Sequence, residues 1–222
     1  MVFTAAPRTA ALVAAGLVST LALAACASTE VPSSNAANTG GGDAVTLSLV
    51  AYSTPQAAYE KIIAAYQKTE AGKNVKFTQS YGASGDQSRA VAAGLPADFV
   101  MFSLETDMKR LVDAKMVDAS WNSDEHKGIV TDSFVSLITR KGNPKNIKTF
   151  EDLVKPGIQV VTPNPFSSGA ARWNIMGAYG SQTKTGKSEA EANKFLADLL
   201  GNVVVQDDSG RAALQTFTGG KG

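Results

Sequence analysis

The chain has 222 residues, 44% hydrophobic and 18% charged, with a formal net charge of +1. That length suits one large domain or two small lobes. The near-neutral balance, with no basic run interleaved with aromatics, sets aside bulk attraction to nucleic acid or to an anionic membrane.

Residues 1–26 read as an address. Arg8 is the only positive charge of a short leading region, and an alanine-rich apolar stretch follows, too short and small-residued for a good spanning helix. The stretch ends Leu23-Ala24-Ala25-Cys26, which resembles a bacterial lipobox. Signals of that kind imply a diacylglyceryl group on Cys26, cleavage before it, and a protein tethered to the outer face of the cytoplasmic membrane. Cys26 is the only cysteine, so a disulfide within the chain is impossible. Residues 27–44 are rich in Ser, Thr, Asn, Ala, Pro and Gly, a flexible tether that can bury no core.

The body begins with an apolar strand over 45–52. Pro55 suits the first turn of the helix that follows, and Ser53 with Gln56 has capping-box spacing. Tyr59, Ile62, Ile63 and Tyr66 recur at helical spacing and predict one inward stripe. A strand over 75–79 leads through the loop 81–85 into a helix over 86–93, where Ser84 and Gln87 repeat the capping-box spacing. A third strand covers 97–103, and Leu104, Met108, Leu111 and Val112 outline an amphipathic helix. The polar stretch 121–128 holds His126, the only histidine, with no partner near it in sequence. One histidine and one cysteine cannot make a protein-only zinc site of the usual kind, and neither metal nor cofactor is expected.

Residues 133–140, with Phe134, Val135, Leu137 and Ile138, read as a strand, and Lys141-Gly142-Asn143-Pro144 as a turn. A short capped helix over 149–153 precedes a strand over 158–162. Pro163 and Pro165 then keep the chain extended, and residues 170–179 form a helix. A helix over 188–200, a strand over 203–206 and a helix over 211–218 follow. This alternation predicts an α/β fold with largely parallel sheets. It divides into a lobe over 45–130 and a second over 131–222. The second lobe ends on a helix and Gly-Gly-Lys-Gly with no closing strand, and is read as incomplete.

Four strand-to-helix loops, 53–55, 82–85, 167–170 and 208–211, carry small donors. The clearest is Ser167-Ser168-Gly169-Ala170. The first N–H groups of a helix have no partner inside it and carry partial positive charge, and Gly169 and Ala170 let an anion approach the backbone. The same residues also read as an ordinary N-cap, with Ser168 serving only its own helix. In parallel sheets ligands sit beyond the carboxyl ends of the strands, so the four loops would face one another across a cleft.

Val161-Thr162-Pro163-Asn164-Pro165, followed by Ser167-Ser168-Gly169 and Ala171-Arg172-Trp173-Asn174, resembles the signature of the sulfate-binding proteins of bacterial ABC importers. Gln79-Ser80-Tyr81-Gly82-Ala83-Ser84-Gly85, Arg140-Lys141-Gly142-Asn143-Pro144-Lys145 and Asp208-Ser209-Gly210-Arg211 extend the resemblance from about residue 45 to the last residue. It implies a two-lobed periplasmic-binding-protein fold of type II. The function implied is extracytoplasmic capture of sulfate or thiosulfate by a monomeric lipoprotein that passes it to a membrane permease. The positions matching the family's anion contacts are Ser53, Ser84, Ser168, Gly169, Ala170 and Gly210, with Arg172 supporting the loop from behind or solvated. Two departures stand out: the family has aspartate where Ser53 stands, contributing mainly its backbone N–H, and it uses a tryptophan from a segment beyond residue 222.

Sulfate is fully ionised at neutral pH and only accepts hydrogen bonds, so a site of donors alone suits it. Hydrogen phosphate carries a proton and wants an acceptor, which makes Asp86 and Asp208 the side chains to locate. Molybdate shares the tetrahedral shape. A serine hydrolase is the remaining alternative: Gly82-Ala83-Ser84-Gly85-Asp86 approaches a nucleophile elbow, but its fifth residue is aspartate and His126 would have to serve as base.

Overall fold

The computed structural model describes residues 44–222; the address, Cys26 included, and the tether up to residue 43 lie outside them. Two parallel sheets organise these residues. In the first, β1 (Val45–Tyr52) lies between β2 (Val75–Gly82) and β3 (Phe99–Met101). In the second, β4 (Val160–Pro163) pairs with β5 (Val203–Asp207), with a register shift between Val160 and Val161. All the pairings run parallel, as the alternation of strands and helices requires.

Each strand feeds a helix. These are α1 (Gln56–Tyr66), α2 (Ser84–Ala92) and α3 (Glu105–Asp113) around the first sheet and α4 (Gly169–Thr183) beside the second; α5 (Glu189–Gly201) follows α4 with no strand between them, and β5 then feeds α6 (Gly210–Thr218). The central strand β1 is buried on both faces. Leu49 and Ala51 pack with Ile63 and Met101 on one side, while Val50 packs with Val91 and Leu111 on the other. Successive side chains of a strand point to opposite faces, so an unbroken apolar run such as Leu49-Val50-Ala51 belongs between two layers. Ala178, Phe195 and Leu199 make a separate core between α4 and α5. The Arg140 guanidinium lies 4.0 Å from the Phe217 ring centroid and donates to the Phe217 carbonyl at 2.6 Å, fastening α6 to the turn at 141–144.

Several local expectations need correction. Residues 133–140 form no strand: Phe134 is 87% exposed and no neighbour offers a ladder. Their β-branched and aromatic composition suits a strand, but a strand exists only where another strand pairs with it. In α1, Ile63 turns inward while Ile62 stays exposed, so the apolar stripe is narrower than its spacing suggests. The third strand is confined to 99–101. Neither capping box at the first two helices forms. Pro55 and Ala83 occupy the N-cap positions without side-chain bonds, and Gln87 accepts from the Ser80 hydroxyl instead. The boxes at Thr149 with Asp152, on a 3-10 turn over Phe150–Val154, and at Ser188 with Glu191 on α5 do form.

Candidate functional site

The carboxyl ends of β1, β2, β4 and β5 deliver their loops to one place. A narrow cleft, too tight to hold a free water, is lined by Ser53, Ser84, Ser168, Ala170 and Gly210, and by Ser103 just beyond β3. Tyr52, Thr54, Gly82 and Ala83 complete the wall. No carboxylate, ammonium, guanidinium or imidazole lines it. Gly169 is buried directly beside it: a Cβ there would sit 2.0 Å from the Ser103 Oγ and 2.8 Å from the Leu104 Cγ. Only glycine fits that helix start without something moving. Five of the six sequence-predicted contact residues line the pocket, and the sixth packs against its wall.

Short-range bonds hold the focal loop in shape. Asn164 accepts the Phe166 N–H on its side-chain oxygen at 2.9 Å, and its carbonyl accepts the Ser168 N–H at 2.8 Å. The Ser167 hydroxyl donates to the Asp208 carbonyl at 2.8 Å, joining the exits of β4 and β5. Arg172 is exposed and donates from Nε to the Pro165 carbonyl at 2.9 Å. It therefore supports the loop without reaching the pocket. The two halves of the site meet where Gly85 N–H donates to the Ser167 carbonyl at 3.0 Å and the Trp173 indole donates to the Ser103 carbonyl at 2.8 Å.

The donors differ from the sequence reading in three ways. Ser168 is the N-cap of α4, buried at 3% exposure, yet its side chain makes no capping bond. The hydroxyl is thus not consumed by its own helix. Ser53 donates its N–H to the Gly82 carbonyl at 2.8 Å, so that amide is occupied and the hydroxyl is what this position can offer. Ser84, 2% exposed, donates its hydroxyl to Asp107 Oδ2 at 2.7 Å and accepts the Ser103 N–H at 2.9 Å. Its side chain is committed, which leaves its backbone N–H at the start of α2. Amides at Ser84, Gly169, Ala170 and Gly210 stand at helix starts and bond to no carbonyl among the described residues.

Asp107 went unnoticed in the sequence. It is buried at 3% exposure, with Arg110 Nη1 3.2 Å from Oδ1 and the Ser88 hydroxyl donating to its main-chain oxygen at 2.7 Å. A signal existed: Asp107 lies four residues before Leu111 and three after Leu104, so an acid interrupts the apolar stripe of α3. Asp86 and Asp208 are both exposed and line no part of the pocket; Asp86 pairs with Arg89 at the surface. His126 is exposed beside Glu125, and the Ser84 hydroxyl is bonded to Asp107, not to an imidazole. Burial pushes the Tyr52 phenol up, partly opposed by a bond with Thr131, so it remains a neutral group of the wall. Among the described residues no cluster of His, Cys, Asp and Glu could hold a metal, and no helix is long and apolar enough to cross a membrane.

Comparison with known proteins places this geometry. The family model described as bacterial extracellular solute-binding protein matches residues 47–222. A sulfate-binding protein of Synechococcus elongatus is 43% identical over 218 residues, covering 96% of this chain and 60% of that protein. A thiosulfate-binding protein of Pseudomonas aeruginosa is 38% identical over 161 residues, covering 72% of this chain and 48% of that one. The solved sulfate-binding protein SubI of Mycobacterium tuberculosis superposes with a TM-score of 0.77 at 43% identity, over 80% of this chain and 62% of that one. The chain thus spans about half to three fifths of the length of these relatives. With its parallel sheets, its helix starts gathered on one pocket and a family match over nearly the whole described body, the chain belongs to the bacterial extracellular solute-binding proteins.

Proposed function

We propose that this protein captures sulfate, or its close variant thiosulfate, outside the cytoplasmic membrane and delivers it to an ABC permease. One observation carries the reading. Residues 53, 84, 168, 170 and 210, far apart in sequence, line one pocket whose wall has neither a cation nor a carboxylate. Such a wall can hold a dianion through main-chain amides and hydroxyls alone, each hydrogen bond to the charged guest contributing roughly 1.5–3 kcal/mol. The dipoles of α2, α4 and α6 supply the balancing partial charge.

The surface positions of Asp86 and Asp208 favour sulfate over hydrogen phosphate, whose proton would find no carboxylate in the wall. The pocket is narrow, so its two halves, residues 45–130 and 131–222, act in this reading as lobes that part to admit the anion and close over it. The similarity to sulfate- and thiosulfate-binding proteins supports the same ligand class. A lipid on Cys26, a monomeric state and a role in binding without catalysis complete the proposal.

Isothermal titration with sulfate, thiosulfate, molybdate and phosphate tests it. Sulfate or thiosulfate should bind at least tenfold more tightly than phosphate. No heat with either sulfur oxyanion removes the reading, and tighter phosphate binding replaces it.

A further inference from the structure

One hydroxyl that the first sheet brings to the pocket belongs to Ser84, but it is already donated within the protein. It donates to buried Asp107 at 2.7 Å, and turning it toward the pocket would strip Oδ2 of that donor. A second hydroxyl stands beside it. Ser103 lines the same pocket, and its Oγ is buried with no hydrogen-bond partner. Buried polar groups are rarely left unpaired, and one that is so calls for an explanation.

We propose that Ser103 is an additional ligand-binding residue, a hydroxyl donor that the first sheet contributes to the oxyanion beside that of Ser53. This rests on the reading of the site given above and names a contact that reading does not contain. Ser103 is held at both main-chain groups: its N–H donates to the Ser84 Oγ at 2.9 Å and its carbonyl accepts the Trp173 indole N–H at 2.8 Å. The backbone of the residue is therefore clamped between α2 and α4, and only rotation of its own short side chain can redirect the hydroxyl. Its Oγ faces the first residue of α4, within 2.0 Å of where a Gly169 Cβ would stand. That is the helix start whose N–H groups are unpaired, where a dianion would seat. A bound oxyanion would accept the Ser103 proton and end its isolation. Ser84 then works behind the contact: with its hydroxyl donating to Asp107, its oxygen turns a lone pair to the Ser103 N–H and sets that residue in place.

Sulfate titration of the parent chain and of Ser103→Ala and Ser84→Ala variants, with thermal melts of each without ligand, tests the assignment. Ser103→Ala should weaken sulfate about 10- to 100-fold, the loss of one hydrogen bond to a charged group. Its unliganded melting temperature should hold or rise, because an unpaired buried hydroxyl has been removed. Ser84→Ala should lower the unliganded melting temperature, because Asp107 and the Ser103 N–H both lose a partner. A Ser103→Ala affinity within twofold of the parent overturns the proposal, as does a Ser84→Ala variant that melts like the parent while it alone loses sulfate. Failure of the parent itself to bind sulfate or thiosulfate overturns the site reading and this assignment together. Binding by the parent with no response at residue 103 overturns this assignment alone.

Discussion

Gly169→Ala sets two effects of known size against each other. Alanine is a better helix residue than glycine, which by itself would stabilise the first turn of α4 by about 0.5–1 kcal/mol. The new methyl, however, would lie 2.0 Å from the Ser103 Oγ and 2.8 Å from the Leu104 Cγ. The Ser103 backbone cannot give way easily, being fixed at both ends by Ser84 and Trp173. Overpacking of this kind costs about 1–3 kcal/mol. The clash should win, leaving a net destabilisation of up to about 2.5 kcal/mol, which for a folded body of this size lowers Tm by up to about 10 °C. Differential scanning calorimetry on the parent, Gly169→Ala, Ser103→Ala and the double variant measures it. Removing the Ser103 Oγ takes away the closer contact, so the double variant should recover at least about 0.5 kcal/mol relative to additivity. A Gly169→Ala protein that melts higher than the parent, or a cycle with no coupling, would refute this account of the helix start.

Further outcomes follow from other residues. Ser168→Ala should change the melting temperature little, because that side chain makes no cap bond, whereas Ser188→Ala should cost about 1 kcal/mol by removing the cap of α5. Chemical denaturation separates the two, and under the proposed function only Ser168→Ala should also weaken sulfate. Asp107→Ala should cost about 2 kcal/mol or more in a urea titration, since the buried Ser84 hydroxyl is left without its acceptor and Arg110 without its carboxylate; a loss under about 0.5 kcal/mol would contradict the network. The Lys155 ammonium, then the Lys148 and Thr149 amides, hold the Asp152 carboxyl well below the usual carboxylate range. A lowered native pKa means its stabilisation is full above the unfolded value of roughly 3.9 and is lost as pH falls through the native one. The difference in urea midpoint between parent and Asp152→Asn should therefore be constant from about pH 7 to 5 and shrink below about pH 4. A difference that grows on acidification would reverse the sign of this linkage.

Much of the scaffold could be read from residue order. The apolar run over 45–52 announced a buried strand, the spacing of apolar residues over 188–200 announced α5, and the Gly-Ala step after Ser168 marked a helix start open to an anion. These are local matters: backbone freedom, side-chain reach and hydrophobic period act over a few residues. The grouping of the contact residues also came from the chain, through the rule that parallel strands carry their ligands at one end. What order could not supply was the allocation of each proton. The Ser53 amide goes to Gly82, the Ser84 hydroxyl to Asp107 and the Ser103 amide to Ser84, partners 29, 23 and 19 residues away. Nor could it show that residues 133–140 would lie without a ladder despite their composition. Hydrogen bonding is exclusive and depends on which groups the packed elements bring within 3 Å. A sequence can therefore name the donors near a site, while only the folded neighbours determine which of them remain free for a guest.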